Sequence, residues 1–219
     1  MQSVKFQKNI IVENDLFAVG NTLPEDFNGI IELTKVVYPS SVPWTEEQLL
    51  SHHTLFPEGQ LAAYEKSTGK VVGMAASLIL DWDDYDADQS WRDFTKSGMF
   101  TNHDPVNGKT LYGAEVMVHP DYRGKKIGKL LYEARRQIVY RLGLKRIRAG
   151  ARMRGYGTYV NELSPKEYAD KVAAFEIYDP TVSFQLKQGF KIIGLVDNYL
   201  RQDPESMGHA AIIEWVPNN

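Results

Sequence analysis

Arg123, Gly124, Lys125, Lys126, Ile127, Gly128 and Lys129 follow one another where a strand pattern ends and a helical pattern begins. A helix N-terminus leaves N–H groups unpaired and concentrates roughly half a positive charge. With Lys125, Lys126 and Lys129 beside it, such a turn would cradle a polyanion, for which a pyrophosphate is the natural candidate. Two familiar phosphate loops are excluded by spacing. A Walker loop needs four residues between its glycines and then Lys-Ser/Thr, whereas Gly124 and Gly128 enclose three and Lys129 is followed by Leu130. A dinucleotide fingerprint needs a third glycine, which neither this turn nor Gly155-Tyr156-Gly157 supplies.

The elements that must position this turn are legible on both sides. Val116 and Val118 alternate with Met117 as in a strand, which Pro120 and Asp121 stop. Ile127, Leu130, Leu131, Ala134, Ile138 and Leu142 recur at three- and four-residue spacings, predicting one buried helical face, and Gly143 offers a left-handed stop. Upstream, the pattern predicts a strand within 8–19, a helix over 22–38 and a second helix capped by Thr45. Strands over 60–66 and 70–80 then flank the hairpin turn Ser67-Thr68-Gly69. Downstream come a strand at 145–151, a short helix at 181–188 and strands at 190–199 and 210–215, with irregular stretches at 81–109 and 152–180. Strand, loop, helix, strand is a βαβ unit, which requires some parallel pairing.

At 219 residues and 43% hydrophobic, the chain can bury one sizeable core. It contains no cysteine, so a thiolate nucleophile, a thiolate metal site and a disulfide framework are all excluded. The five histidines lack metal-ligand spacing, and no metal is expected. No signal peptide or membrane span is read in the sequence, and the polar stretch Met1 to Asn9 fits a cytoplasmic chain. The net charge of −3 hides segregation. From Arg123 to Arg154 there are twelve Lys or Arg against the single acid Glu133, while Asp81 to Asp93 holds six aspartates. Arg135, Arg136 and Arg141 are expected on the solvated side of their helix. Arg146, Arg148, Arg152 and Arg154 alternate along a strand and its exit, forming a stripe that could meet an acidic substrate, a partner protein or, as the minority reading, RNA. The aspartate run lacks the glycine and glutamate of a calcium loop, and its aromatics Trp82, Tyr85, Trp91 and Phe94 would serve as a lid or an interface.

The run Val118-His-Pro-Asp-Tyr-Arg-Gly124 and the following Lys125 to Gly128 resemble the acetyl-CoA loop of the GNAT acyltransferase superfamily, whose pattern is Arg or Gln, two residues, Gly, one residue, Gly or Ala. Arg123 and Gly128 match, and Lys126 stands where the first glycine usually sits. The resemblance extends in order along most of the chain. It implies one GNAT-like α/β domain over 1–219, with a mixed, largely antiparallel sheet and insertions at about 81–109 and 152–180. It also implies acetyl-CoA or another acyl-CoA as acyl donor, held by Arg123, Gly124, Lys125, Lys126, Ile127, Gly128 and Lys129. Backbone N–H groups around Met117 and Val118 would hold the thioester carbonyl.

The acceptor would be a small-molecule or peptide amine. A lysine-like amine with a pKa of ~10.4 is neutral in only about one molecule per few thousand at pH 7, so a base is needed or the amine pKa must be lowered. Glu115, on the strand entering the loop, is the candidate base. The family often places a tyrosine four residues before the Gly-Phe pair of its last helix as general acid, but here Gly189-Phe190 is preceded at that distance by Gln185. Tyr178, Tyr156 and Tyr159 are the alternative phenols, with Tyr178 taken as the catalytic candidate. Within the family, Arg148 to Gly157, Leu163 to Tyr168 and Tyr178 to Phe190 resemble the GNAT domain found joined to nitrilase-type carbon–nitrogen hydrolases in bacteria. A hydrolase of that kind is therefore an expected partner, a homodimer is left open, and the competing reading is an acyl-CoA sensor acting with such a partner.

Overall fold

The computed structural model describes residues 9–85, 88–201 and 203–217. Met1 to Lys8 of the polar N-terminal stretch, and Asp86 and Ala87 of the aspartate run, lie outside the described residues. The chain forms two compact units, one drawn from Met1–Leu78, Met99–His103 and Glu115–Gly143, the other from Ile79–Gly98, Asp104–Ala114 and Leu144–Asn219.

In the first unit, β1 (Ile10–Glu13) and β2 (Phe17–Asn21) are antiparallel. The single strand expected over 8–19 is two because the Asn14 side chain accepts the N–H groups of Leu16 and Phe17 and turns the chain. Helix α1 (Phe27–Val37) follows a short 3₁₀ turn that begins at Pro24. Helix α2 (Glu46–Leu55) starts in a reciprocal box, with Gln48 N–H donating to Thr45 Oγ1 at 3.2 Å and Thr45 N–H donating to Gln48 Oε1 at 3.1 Å. Strands β3 (Gln60–Glu65) and β4 (Val71–Leu80) form the expected hairpin, β3 also pairing with β2. Strand β5 (Thr110–Val118) contributes Glu115 to Val118 to this unit. Helix α4 (Ile127–Leu142) buries Ile127, Leu130, Leu131, Ala134 and Ile138 and packs on β1, β2 and β3. Leu142, the last residue of that expected face, is largely exposed, since the helix ends beside it at Gly143, φ +64°.

In the second unit, the start of β5 pairs in parallel with β6 (Arg146–Arg152), as the βαβ pattern requires. β6 pairs antiparallel with β8 (Ala210–Trp215), and β8 with β7 (Lys191–Val196). The fold is thus mixed α/β with largely antiparallel pairing. Helix α3 (Trp91–Thr95) lies within the stretch expected to be irregular. The Trp82 and Tyr85 rings stack there on Phe94, which in turn stacks on Tyr112 and is buried. Of the aromatics expected in a lid or interface, Phe94 therefore belongs to the packed interior, while Trp82 and Tyr85 are half-buried against it. Helix α5 (Pro165–Ala173) was not expected, although Ser164 and Glu167 write a capping box at its start. Helix α6 (Val182–Lys187) falls where the pattern puts it. Among the described residues no helix is long and apolar enough to cross a membrane, and no group of three or more His, Asp or Glu side chains could hold a metal.

Candidate active site

The register of β5 with β6 covers Thr110↔Arg146, Leu111↔Ile147 and Tyr112↔Arg148 and goes no further, while β5 runs on to Val118. Past that point the outer edge of β5 finds other partners. The Trp91 indole N–H donates to the Ala114 carbonyl at 2.9 Å, and the Val116 N–H donates to the carboxylate of Glu115 at 2.9 Å. His119 N–H donates to Val72 O of β4 at 2.9 Å, which fixes the alternation. Residues 115, 117 and 119 turn their backbone groups toward β4, and 116 and 118 turn theirs to the opposite edge. Met117 and Val118 therefore cannot both offer N–H groups on that outer edge. Val118 does, Met117 faces β4, and Val116 joins Val118.

The loop after β5 turns through Pro120–Tyr122 and reaches α4 in two left-handed steps, Gly124 at φ +78° and Lys126 at φ +65°. A Cβ built on Gly124 would meet nothing within 4 Å, so the backbone there is open to a ligand. Lys126 is the N-cap of α4 and no side chain caps the helix. The N–H groups of its first turn, at Ile127, Gly128 and Lys129, are thus directed out of the helix end without a capping acceptor. Lys125 Nζ lies 4.5 Å from the centre of the Tyr122 ring, and Lys129 pairs with Glu133 at 3.8 Å. A depression of about 370 Å³ beside the loop is lined by Asn14, Asp15, Leu16, Phe17, Gly124, Lys125 and Lys126. The geometry suits an anion: open backbone, an uncapped helix start and adjacent cations.

Lys126 has the left-handed backbone that the glycine of the loop pattern would adopt freely, and the cost of a Cβ there is about 1–2 kcal/mol. Glycine would relieve this but add about 0.5–1 kcal/mol of unfolded-state entropy. Lys126→Gly is therefore expected to stabilise the protein by about 0.5–1 kcal/mol, measured as a higher urea midpoint at unchanged slope.

Glu115 is partly buried in the first unit, and its carboxylate Oε1 also accepts the Tyr38 hydroxyl at 3.0 Å. Tyr38 closes the C-terminus of α1. Behind the strand, Arg135 is almost wholly buried, donating from Nε to Ser77 Oγ at 3.0 Å and from Nη2 to Ala76 O at 3.0 Å and Glu115 O at 2.7 Å. The expectation of Arg135 on the solvated side of α4 is thus corrected. It lies four residues after Leu131 and three before Ile138, on the buried face, where backbone oxygens and a serine satisfy its charge. Burial lowers its pKa, opposed by Tyr132 and Glu115 nearby. Neither Tyr38 nor Arg135 was found from the sequence. Arg135 had a periodicity signal that its charge concealed, and Tyr38 had none.

Glu115, Met117, Val118 and the whole of Arg123 to Lys129 belong to the first unit, and Tyr178 to the second. Tyr178 is exposed, with Lys187 Nζ 5.6 Å from its ring centre. Tyr156 is buried and donates to Leu163 O at 3.1 Å, Tyr159 leans on Tyr168, and Gln185 is buried in α6. His119, at the strand end, accepts the Asp121 N–H at 3.3 Å. The arginine stripe on β6 and its exit exists, but three carboxylates offset most of its charge, with Arg146 and Arg148 sharing Glu214. Arg148 meets Glu214 at 2.8 Å, Arg152 grips Asp203 at 2.6 Å and Glu205 at 2.6 Å, and Arg154 meets Glu205 at 3.1 Å. A stripe occupied by its own carboxylates has little charge left for a polyanion.

The Acetyltransferase (GNAT) family matches the chain over residues 27–159, and the chain belongs to this family. Two relatives come from Bacillus subtilis (strain 168). The uncharacterized N-acetyltransferase YkwB is 33% identical over 205 residues, 92% of this chain and 89% of YkwB. The probable hydrolase YhcX is 41% identical over 211 residues, 96% of this chain but 39% of YhcX, so the chain spans well under half of that relative's length. Among solved structures, the GphF GNAT-like decarboxylase in complex with isobutyryl-CoA superposes with a TM-score of 0.74 at 20% identity, covering 90% of this chain and 98% of that one. The loading GNATL domain of CurA from Lyngbya majuscula gives 0.74 at 19% identity, covering 92% and 98%. These two likenesses establish the fold.

Proposed function

We propose that the chain is an acyl-CoA-dependent N-acyltransferase that moves an acetyl group to an amine. The observation that carries this is the continuity of β5, loop and α4: an edge with outward N–H groups and a carboxylate leads directly into an open, cationic helix start. Arg123, the Gly124 to Lys129 backbone and the lysines would hold the CoA phosphates. Acetyl-CoA supplies the acyl group as a thioester, from which the amine displaces the thiolate as the new C–N bond forms and the amine gives up a proton. Glu115 takes that proton, with Tyr38 holding the carboxylate in place. Val116 and Val118 present the N–H groups for the thioester oxygen. Tyr178 is retained as a candidate donor to the leaving thiolate, since Gln185 can donate a hydrogen bond but cannot supply a proton.

The family match over 27–159 draws residues from both units, which supports reading 1–219 as one acyltransferase domain; 81–109 and 152–180 are proposed as its insertions. The span of YhcX and its name favour a second setting, in which this domain works beside a hydrolase, of the carbon–nitrogen class that the sequence resemblance implies, and senses or modifies what that partner handles.

Calorimetric titration with acetyl-CoA and with CoA tests the assignment. Both are expected to bind, and Arg123→Ala is expected to weaken both by about tenfold, the value of one charge-assisted hydrogen bond to phosphate. Absence of binding to the wild-type protein would refute the reading.

A further inference from the structure

A buried guanidinium is a costly way to fill space, because an apolar side chain of similar length would avoid the desolvation. What Arg135 grips gives it a purpose. It donates to the carbonyl of Glu115 at 2.7 Å, closer than to Ser77 or Ala76, and that carbonyl shares one peptide group with the N–H of Val116. In a trans peptide the two point in opposite directions. The carbonyl therefore faces the cation, and the N–H faces the outer edge of β5, where it already donates to a carboxylate oxygen of Glu115 at 2.9 Å.

We infer that Arg135 is a positioning residue for acyl transfer: it fixes and polarises the 115–116 peptide so that the Val116 N–H receives the charge developing on the thioester oxygen. Drawing electron density through the peptide strengthens the N–H as a donor, and anchoring the carbonyl stops the peptide from rotating. The Glu115 carboxylate marks the spot in the free protein. When the thioester oxygen takes the Val116 N–H, the carboxylate is released from it and is free to accept the amine's proton. This inference rests on the acyl-transfer reading above.

The test follows the Val116 amide by NMR in ¹⁵N-labelled wild-type protein, Arg135→Met and Arg135→Lys, free and with CoA or acetyl-CoA added. In the free protein the Val116 amide proton is expected to move upfield in Arg135→Met, and by less in Arg135→Lys, which keeps a charge but not the fork. In the wild type, acetyl-CoA should displace this resonance further than CoA does, and the difference should shrink in both variants. Turnover, followed as thiol release with an amine found by screening, should fall about 10–100-fold in kcat with little change in the KM for acetyl-CoA. Should Arg135→Met not fold, the Arg135→Lys comparison decides alone. A folded variant that binds acetyl-CoA and keeps both the wild-type Val116 resonance and the wild-type kcat overturns the role of Arg135. Failure of the wild type to bind acetyl-CoA overturns the acyl-transfer reading instead, and the role of the Val116 N–H with it.

Discussion

Glu115→Gln is expected to lower kcat by about 100-fold or more while leaving CoA affinity unchanged. The substitution separates chemistry from position. A glutamine amide oxygen can still accept the Tyr38 hydroxyl and the Val116 N–H, two contacts that help to hold the carboxylate in place. What the amide cannot do is take a proton. Affinity should survive because the residues proposed to hold CoA, Arg123 to Lys129, lie beyond the end of β5 and make none of those contacts. Initial rates at saturating acetyl-CoA, set beside a calorimetric titration of the same variant, give the comparison. Turnover equal to wild type would remove Glu115 from the mechanism. A parallel loss of CoA binding would instead mean that the carboxylate shapes the cofactor site.

The largest stability effect is expected at Asp179. Asp179→Ala should cost about 3–5 kcal/mol, measured by urea unfolding. The carboxylate is fully buried, and its two oxygens accept four hydrogen bonds. Oδ2 takes the Gly155 N–H and the Tyr168 hydroxyl, each at 2.8 Å, and Oδ1 takes the Thr181 and Val182 N–H groups, each at 2.8 Å. One side chain thus ties the loop after β6, helix α5 and the start of α6. Burial, then the hydrogen bond and charge of Asp179, push the Tyr168 phenol up, so it remains a protonated donor at any ordinary pH. Alanine leaves all four donors facing a void, which is worse than never having buried them. Asp179→Asn should recover little, because its NH₂ would confront N–H groups that need an acceptor. A loss below about 1 kcal/mol would show that water replaces the carboxylate at this cluster.

The sequence determined whatever rests on neighbours within about four residues. The Thr45 and Ser164 boxes, the left-handed stop at Gly143 and the apolar rows of α4 are local contests between side chain and backbone, and their outcome is written in spacing. So is the cationic turn at the head of α4, because a strand that must stop and a helix that must start leave their unpaired N–H groups between them. Tertiary structure decided what spacing cannot carry. Tyr38 reaches Glu115 across 77 positions. Arg135 lies inside because Ser77, Ala76 and Glu115 oxygens happen to converge on it. The arginine row of β6 loses most of its free charge to Glu214, Asp203 and Glu205, which arrive from a distant stretch of chain. Whether Met117 or Val116 looks outward turns on one bond from His119 to Val72, since a strand's faces alternate with period two and only its partner says which face is which. Local periodicity selects elements, and long-range pairing selects the groups those elements turn toward one another.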